Sequence, residues 1–357
     1  MKRLINSGAV LTLLAVSLLL YQKPYYNWDM FPYMALASDS SMPFDSIHAS
    51  IYKEASRQMT PKDFEAISLR QPELMRNSEA FRNLLHYYTI KPGYNLVVRF
   101  FHFVGFNILA ATYLPSIISY FLIGCLMLVW LQKVIPSPFS AITALVLMAS
   151  PFLFTTARYS SPDMLCALLS FAGLFLIVES SMMAGLVVLL LAITIRPDSA
   201  ILFVPIVVAL YKSKKVSGGA AFVFAIVAIA LTLLIIHGPY IVIGFLFTTS
   251  DYSTSWSTSE FIRNYGSSLV SGITSLLSTL MILFSIIAAA TIYIRKKSGY
   301  EIMTDLWSQL MLAVVATFAI RFLLHPVVED RFLISCYLII MMGLCKTLGG
   351  VFGVKNT

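Results

Sequence analysis

The sequence predicts an all-α polytopic membrane protein of about ten transmembrane helices. Of its 357 residues, 58% are hydrophobic and only 12% are charged, and the mean hydropathy is +0.81. Water-soluble domains of this length do not show that balance. Apolar runs long enough to cross a hydrocarbon core of about 30 Å recur along most of the chain. They predict one integral membrane domain over residues 1–357.

Ten apolar runs with polar or charged flanks set the predicted spans. The first is expected to remain uncleaved, because residues 21–26 offer no small-residue cleavage site. The predicted spans are 4–21, 112–131, 138–156, 164–178, 181–195, 199–211, 218–238, 270–294, 304–323 and 332–347. Their alternation leaves a long loop, 22–111, between the first two helices.

Positive charge is divided unequally between the two sides of this arrangement. One side carries eleven basic residues: Lys2, Arg3, Lys133, Lys212, Lys214, Lys215, Arg295, Lys296, Lys297, Lys346 and Lys355. The short loops opposite carry five: Arg158, Arg196, Arg263, Arg321 and Arg331. Because basic residues accumulate on the cytoplasmic side, both termini are predicted to be cytoplasmic, in a plasma (inner) membrane. The net charge of +8 therefore reflects topology, and no nucleic-acid partner is predicted.

The long external loop is predicted to contain surface helices. Thr60 precedes Pro61 and an acid in the first turn, which is typical of a helix start. Ser78 opens a second segment, in which apolar residues recur with helical spacing from position 81 to position 88. A third candidate helix runs from Asp45 to about Arg57. Such amphipathic helices can lie flat on a membrane.

Missing motifs exclude several classes of enzyme and pump. The chain has no G-x-x-x-x-G-K-[ST] phosphate loop, no H-E-x-x-H, no C-x-x-C pair and no G-x-S-x-G. No Asp, Glu, Lys or Arg stands in the middle of a predicted span, where an ion-coupled transporter would bind its ion. The pattern therefore argues against coupled transport.

Residues capable of chemistry gather near the predicted outer ends of the spans. They are Asp29, Lys91, Arg99, His102, Arg158, Asp163, Arg196, Asp198, Arg321, His325, Glu329, Asp330 and Arg331. Carboxylates surrounded by cations at a membrane surface suit a substrate that is both phosphorylated and lipid-anchored. The sequence predicts that these residues can share one outward-facing cavity.

Four short stretches within about residues 1–215 resemble those of integral-membrane glycosyltransferases of the GT-C fold. They are Tyr26–Tyr33, Tyr87–Tyr94 and the turns Ala157–Asp163 and Ile195–Asp198. The similar branch contains the protein O-mannosyltransferases and the aminoarabinose transferase of lipid A. This resemblance implies transfer of a sugar from a polyprenyl-phosphate donor to a glycan, lipid or protein acceptor on the non-cytoplasmic face.

The resemblance also implies roles for two residues. Asp29 matches the acidic residue that serves as catalytic base in those relatives, and Lys91 matches a lysine that contacts the lipid phosphate. Gly93 stands where the lysine motif has its second proline, and Met30 stands where many relatives carry a second acid. No cofactor and no metal-ligand set are predicted, and dependence on a divalent metal is left open.

Each candidate also has a purely structural interpretation. Asp29 can cap a surface helix, and Lys91 can extend along apolar surface to the headgroups. The arginines proposed as phosphate contacts, Arg196, Arg321 and Arg331, can instead set topology or pair at helix ends. Possible additional site residues are Arg158, Asp163 and His325, although Asp163 and Asp198 are favoured as first-turn acids or caps.

Two further functions remain open from the sequence. The first is a flippase or transporter of lipid-linked glycans, against which the uncharged span centres count. The second is an oligosaccharide polymerase or ligase, although those families usually place their largest external loop late in the chain. The segment 250–263, rich in hydroxyls and aromatics, is expected either to cover the cavity and bind sugar or to be a solvated loop.

Overall fold

The structure is a computed structural model that describes residues 2–236, 258–276, 280–324 and 329–351. Over these ranges the chain forms nineteen α-helices and two 3₁₀ helices, and no strand occurs in them. The predicted all-α class is confirmed.

The first nine helices cover the first candidate span, the loop 22–111 that is predicted to be external (and keeps the name external loop), and the second candidate span. They are α1 (Lys2–Gln22), α2 (Met30–Ala37), α3 (Phe44–Gln58), α4 (Pro61–Ser68), α5 (Pro72–Arg76), α6 (Ser78–Leu84), α7 (His86–Thr89), α8 (Pro92–Phe103) and α9 (Ile108–Leu131). The predicted loop 22–111 is therefore a folded unit of seven short helices.

The remaining ten helices form most of the bundle. They are α10 (Phe139–Met148), α11 (Pro151–Ala157), α12 (Asp163–Glu179), α13 (Met182–Ile195), α14 (Ala200–Lys212), α15 (Gly218–Ile235), α16 (Thr258–Leu276), α17 (Leu280–Lys297), α18 (Leu306–Leu324) and α19 (Ile334–Val351). The 3₁₀ helices are Pro197–Ser199 and Asp330–Leu333.

Five of the described helices are long and apolar enough to cross a membrane. They are Leu4–Gln22, Ile108–Leu131, Gly218–Ile235, Leu306–Leu324 and Asp330–Gly350. A sixth span results if α10 and α11, which are bent by 63° at their junction, cross together. Several of the other predicted spans correspond to helices of fewer than 18 residues, such as α12, α13 and α14. These apolar helices support a membrane protein.

The bend between α10 and α11 interrupts the regular helical hydrogen bonds inside an apolar segment. Pro151 begins α11 and cannot donate a backbone hydrogen bond to the preceding turn. The Tyr120 hydroxyl donates to the carbonyl of Met148 at 2.9 Å, and the Tyr337 hydroxyl donates to that of Leu147 at 3.1 Å. Two neighbouring helices thus satisfy groups that lipid cannot.

Local sequence signals in the external loop are largely confirmed. The Thr60 side chain accepts a hydrogen bond from the backbone N–H of Asp63 at 3.2 Å, as expected of an N-cap. The predicted helix 45–57 is α3. The helix predicted to open at Ser78 does begin there, but it ends at Leu84, and position 88 lies in the separate helix α7. Asn77 provides its cap by accepting from the backbone N–H groups of Glu79 and Ala80.

Two packed cores lie side by side in the structure. The bundle core includes the buried side chains of Tyr120, Trp130 and Phe171. The other core lies in the loop between α1 and α9 and includes Phe31 and Tyr94, and it extends to residues of α9, α12 and α13. Because this second core joins the loop to the bundle, residues of both can meet at one site.

Candidate active site

The loop that carries Asp29 is attached to the bundle through Asn27. The Asn27 side chain accepts a hydrogen bond from the backbone N–H of Ser160 at 3.1 Å. The Ser160 hydroxyl in turn lies 2.7 Å from the Thr112 hydroxyl of α9. All three side chains are buried. This chain of contacts places Asp29 at the junction between the external loop and the candidate spans.

The Asp29 carboxylate accepts three hydrogen bonds. The Tyr88 hydroxyl donates to Oδ1 at 2.6 Å, and Asn27 Nδ2 donates to Oδ2 at 3.0 Å. Arg331 Nη1 donates to Oδ2 at 3.2 Å across 302 residues of sequence. Asp29 does occupy the N-cap position of α2, but its side chain makes no capping hydrogen bond to that helix. The carboxylate therefore faces the site.

Lys91 lies just before α8 and points at the same group of tyrosines. Its Nζ donates to the Tyr33 hydroxyl at 3.0 Å. The same atom lies 4.7 Å from the ring centroid of Tyr88 and 5.5 Å from that of Tyr33. Such cation–π contacts stabilise an ammonium away from water. The lysine thus packs into the external loop, in contrast to the interpretation in which it reaches for lipid headgroups.

The charges of Asp29 and Lys91 each affect the pKa of the other group. Burial on its own would raise the pKa of Asp29, but the charges of Arg331 and Lys91 and the hydrogen bond from Tyr88 lower it below its ordinary value. Burial lowers the pKa of Lys91 to about 8, against the opposing effect of the Asp29 charge. At neutral pH the site therefore holds an ionised carboxylate beside an ammonium that is easily neutralised.

A second group of charges lies where α12 and α13 meet α18. Arg196 makes a short ion pair with Asp163 and binds both oxygens of Asp198, with Nε to Oδ1 at 2.8 Å. Arg321 Nη1 also contacts Asp198 Oδ2, at 2.6 Å. Both acids occupy first turns, as predicted, but their carboxylates bind arginines and do not cap helices. Burial opposes ionisation of Asp198, yet Arg196 and Arg321 lower its pKa far below the ordinary value.

Arg331 links the two groups of charges. Besides Asp29, its guanidinium contacts Glu329 Oε2 at 2.5 Å and lies 3.8 Å from Asp163 Oδ2. The ring of Phe332 packs against the guanidinium groups of Arg196, Arg321 and Arg331, whose central carbons lie 4.3, 4.4 and 5.1 Å from its centroid. The result is a continuous network of charges from Asp29 to Arg321.

The network contains as many acidic as basic side chains. Its acids are Asp29, Asp163, Asp198 and Glu329, and its bases are Lys91, Arg196, Arg321 and Arg331. A phosphate that bound the arginines would have to compete with the carboxylates they already contact. Lys91 differs, because its hydrogen bond goes to a neutral tyrosine hydroxyl. It is the cation best placed to accept an anionic ligand without losing an ion pair.

Other predicted residues lie outside this network or outside the described ranges. Arg158 Nε donates to the backbone carbonyl of Lys23 at 2.5 Å, so its contact supports the loop before Asp29. His325 lies outside the described residues, as does most of the segment 250–263, whose last six positions belong to α16. Within the described ranges, no group of three or more His, Cys, Asp or Glu side chains is placed to hold a metal ion.

The structure adds residues that the sequence did not single out. Tyr88 was assigned only to the apolar face of a helix, yet its hydroxyl contacts Asp29. Tyr33 binds Lys91, and Asn27 orients both the loop and the carboxylate. All three belong to the stretches Tyr26–Tyr33 and Tyr87–Tyr94, so a search of those motifs for hydrogen-bonding side chains would have found them.

Comparison with protein-family models, with curated proteins and with solved structures finds no match to this chain. Its function is therefore inferred from the chemistry of the site.

Proposed function

We propose that the protein is an inverting glycosyltransferase of the GT-C type, which moves a sugar from a polyprenyl-phosphate donor to a glycan, lipid or protein acceptor. The observation that supports this most is the contact set of Asp29. A partly exposed, ionised carboxylate lies next to the one network cation, Lys91, whose hydrogen bond goes to a neutral group. A base beside an anion-binding ammonium suits displacement of a phosphate by a hydroxyl.

In this reaction Asp29 acts as general base. The oxygen of an acceptor hydroxyl attacks the anomeric carbon of the donor sugar while the carboxylate takes its proton. The bond between that carbon and the phosphate oxygen breaks, and the polyprenyl phosphate leaves with the electron pair. A single displacement inverts the anomeric configuration. Lys91 and Arg331 stabilise the negative charge that develops on the phosphate.

Binding of the donor also changes the pKa of the proposed base, Asp29. The free site lowers the pKa of Asp29 through the charges of Arg331 and Lys91, and a carboxylate held so low is a weak base. A donor phosphate that engages those cations neutralises part of their effect on Asp29. The pKa of the carboxylate then rises toward its ordinary value when the acceptor is to be deprotonated.

The proposal includes a topology of about ten spans with both termini in the cytoplasm of a bacterial-type inner membrane. Site residues stand beside the ends of three candidate spans: Asp29 follows Leu4–Gln22, Arg321 lies near the end of Leu306–Leu324, and Arg331 lies at the start of Asp330–Gly350. With alternating spans these ends share one side of the bilayer, from which the polyprenyl chain can deliver the donor.

Activity of reconstituted protein tests the proposal. Polyprenyl-phosphate sugars that differ in the sugar are supplied with a panel of acceptors, with EDTA or with added Mg²⁺, and the release of polyprenyl phosphate is measured. We expect Asp29→Asn to lower transfer by at least about 10²-fold, the usual contribution of a general base. Asp39→Asn is the control, because Asp39 is exposed in the same loop. Near-normal transfer by Asp29→Asn would exclude Asp29 as base.

Transport of a lipid-linked glycan is the second candidate, and one observation favours it. The break between α10 and α11 lies near the middle of an apolar segment, where transporters often interrupt their helices. Flipping of a fluorescent lipid-linked sugar in proteoliposomes, with no new glycosidic bond, would support transport. A polymerase or ligase would differ in transferring a whole glycan, which the mass of the product reveals.

The donor sugar and the acceptor follow from a second experiment. Mass spectrometry compares cell-surface glycans with and without the protein, and with Asp29→Asn in place of the native chain. A sugar that disappears in both the deletion and the variant identifies the donor and the acceptor class together.

A further inference from the structure

Helix α8 has two apolar faces. Tyr94 and Val98 are fully buried against the protein. On the opposite side, Leu96, Phe100 and Phe103 are 68, 57 and 88% exposed. Positions 96, 100 and 103 follow the i, i+4, i+7 spacing that places side chains on one face of a helix. One side of α8 therefore packs into the external loop, and the other presents a row of large apolar side chains.

The polar residues of α8 lie between these two faces. Asn95, Arg99 and His102 follow the i, i+4, i+7 spacing of a separate stripe along one edge of the helix. Arg99 Nε donates to the backbone carbonyl of Leu36 at 2.7 Å, which ties this edge to the end of α2. The opposite edge of α8 is apolar and carries Val97 and Phe101, and Phe101 is partly buried against the core of the loop. A polar edge therefore borders the apolar row on one side, and the core of the loop borders it on the other.

The apolar row continues into a candidate membrane span. Val104 and Phe106, which are 50 and 38% exposed, connect α8 to the span Ile108–Leu131. That span also exposes large apolar side chains, including Leu122 and Val129. Residues 109–117 of that span are buried, so its exposed side chains begin further along the helix, but only residues 104–107 separate α8 from the start of the span. Because a span begins at the membrane surface, lipid is the medium expected to cover the apolar row of α8.

We propose that α8 is an in-plane helix whose row Leu96–Phe100–Phe103 inserts into the outer leaflet of the bilayer. Its polar edge faces the headgroups, and its inner face binds the external loop. Aromatic and aliphatic side chains on one face, with cationic and polar residues beside them, are typical of interfacial helices. Since Lys91 immediately precedes α8, the inserted row sets the depth of that ammonium at the membrane surface. This inference does not depend on glycosyl transfer.

Spin labelling in nanodiscs tests the insertion. Single cysteines are introduced as Phe100→Cys and Phe103→Cys in a Cys125→Ser background, which removes the one native cysteine that is not buried. The matched control is Leu69→Cys, because Leu69 is 66% exposed in the same external loop but lies outside α8. Collision with oxygen, which concentrates in lipid, is compared with collision with a water-soluble nickel chelate.

We expect labels at positions 100 and 103 to collide several-fold more with oxygen than with the nickel chelate, and the label at position 69 to show the reverse. Nickel accessibility at 100 and 103 equal to that at 69 would show that the row faces water. Labels at 100 and 103 that are immobile and protected from both reagents would show that protein, such as a second copy of the chain, covers the row. Either result overturns the proposal.

Discussion

The Tyr88 hydroxyl donates a 2.6 Å hydrogen bond to Oδ1 of Asp29, while the face of the same tyrosine ring lies 4.7 Å from the ammonium of Lys91. One side chain thus touches both the proposed base and the proposed phosphate ligand. Tyr88 keeps the carboxylate oriented, and its ring holds the cation at a distance from that carboxylate. The Asp29 carboxylate and the Lys91 ammonium attract each other but form no direct ion pair.

Removal of the Tyr88 hydroxyl tests this arrangement. Tyr88→Phe keeps the ring but deletes a hydrogen bond to a charged acceptor, worth about 1.5–3 kcal/mol. If that bond orients the base during transfer, the turnover rate falls roughly 10- to 100-fold. Tyr52→Phe is the matched control, because the Tyr52 hydroxyl is buried without a hydrogen-bond partner in the structure. We expect the control to keep full activity and equal or higher thermal stability.

The pH above which donor binding weakens is expected to be set by the pKa of Lys91. Burial lowers the pKa of this lysine to about 8, so the ammonium is present below that pH and is lost above it. The neighbouring Tyr33 does not titrate in this range, because burial raises its pKa well above 10. Binding of a polyprenyl-phosphate sugar should therefore weaken as the pH rises through about 8.

The variant Lys91→Arg tests whether titration of Lys91 causes the loss of donor binding near pH 8. Arginine keeps its charge throughout this range, so the decline near pH 8 should disappear even if overall affinity is lower. Lys53→Arg, at an exposed position of α3, should leave the profile unchanged. A decline at the same pH in Lys91→Arg would assign the titration to another group.

The largely buried ion pairs of Asp198 with Arg196 and Arg321 are expected to be costly to break. The Asp198 side chain is 9% exposed, and those of Arg196 and Arg321 are 13 and 11% exposed. Asp198→Asn leaves two largely buried cations with one carboxylate fewer, which should destabilise the fold by up to about 3–5 kcal/mol, the range for a fully buried pair. The double variant Asp198→Asn with Arg321→Met restores the charge balance. Thermal unfolding in detergent should show it to be more stable than the sum of the two single changes.

The same pairing has a predictable response to acid. The arginines lower the pKa of Asp198, so its stabilising effect is complete at neutral pH and declines as the pH falls below its ordinary value of 3.8 toward the folded-state pKa. The single variant Asp198→Asn should lose part of this acid sensitivity. Equal pH profiles of unfolding for the native chain and the variant would contradict the assignment.

Gly93 is explained by close packing of α8 against α13. A Cβ at this position would lie 2.5 Å from Thr194 Oγ1, 2.8 Å from Ile195 Cδ1 and 3.1 Å from the backbone carbonyl of Thr194. We expect Gly93→Ala to shift the start of α8 and to cost about 1–3 kcal/mol through overpacking. Donor binding should weaken as well, since Lys91 lies two residues earlier.

Gly8→Ala is the control for this substitution. Gly8 lies in α1, and a Cβ there would meet nothing within 4 Å. Alanine in a helix interior should leave thermal stability unchanged or raise it by up to about 1 kcal/mol. A native-like melting temperature and native donor affinity in Gly93→Ala would show that α8 and α13 can separate at no cost.

Several features of the protein follow from local composition and could be predicted from the amino-acid sequence. The apolar run 4–21 is found as the candidate span Leu4–Gln22, and the cap at Thr60 forms as its flanking residues predicted. Both features are local, because hydropathy and capping act within one helix. The same local signals placed Asp29 beside a helix start, although they could not say whether its carboxylate would cap that helix.

Which charged residues form pairs depends on the packing of helices that are distant in sequence. Asp29 pairs with Arg331 across 302 residues, and Asp163 pairs with Arg196 across 33. A list of acids and bases on one side of a membrane contains many possible pairs, and the packing of distant helices selects among them. The sequence could therefore predict an outward-facing group of charges. That Tyr88 lies between the base and the lysine depends on how the external loop folds onto the bundle.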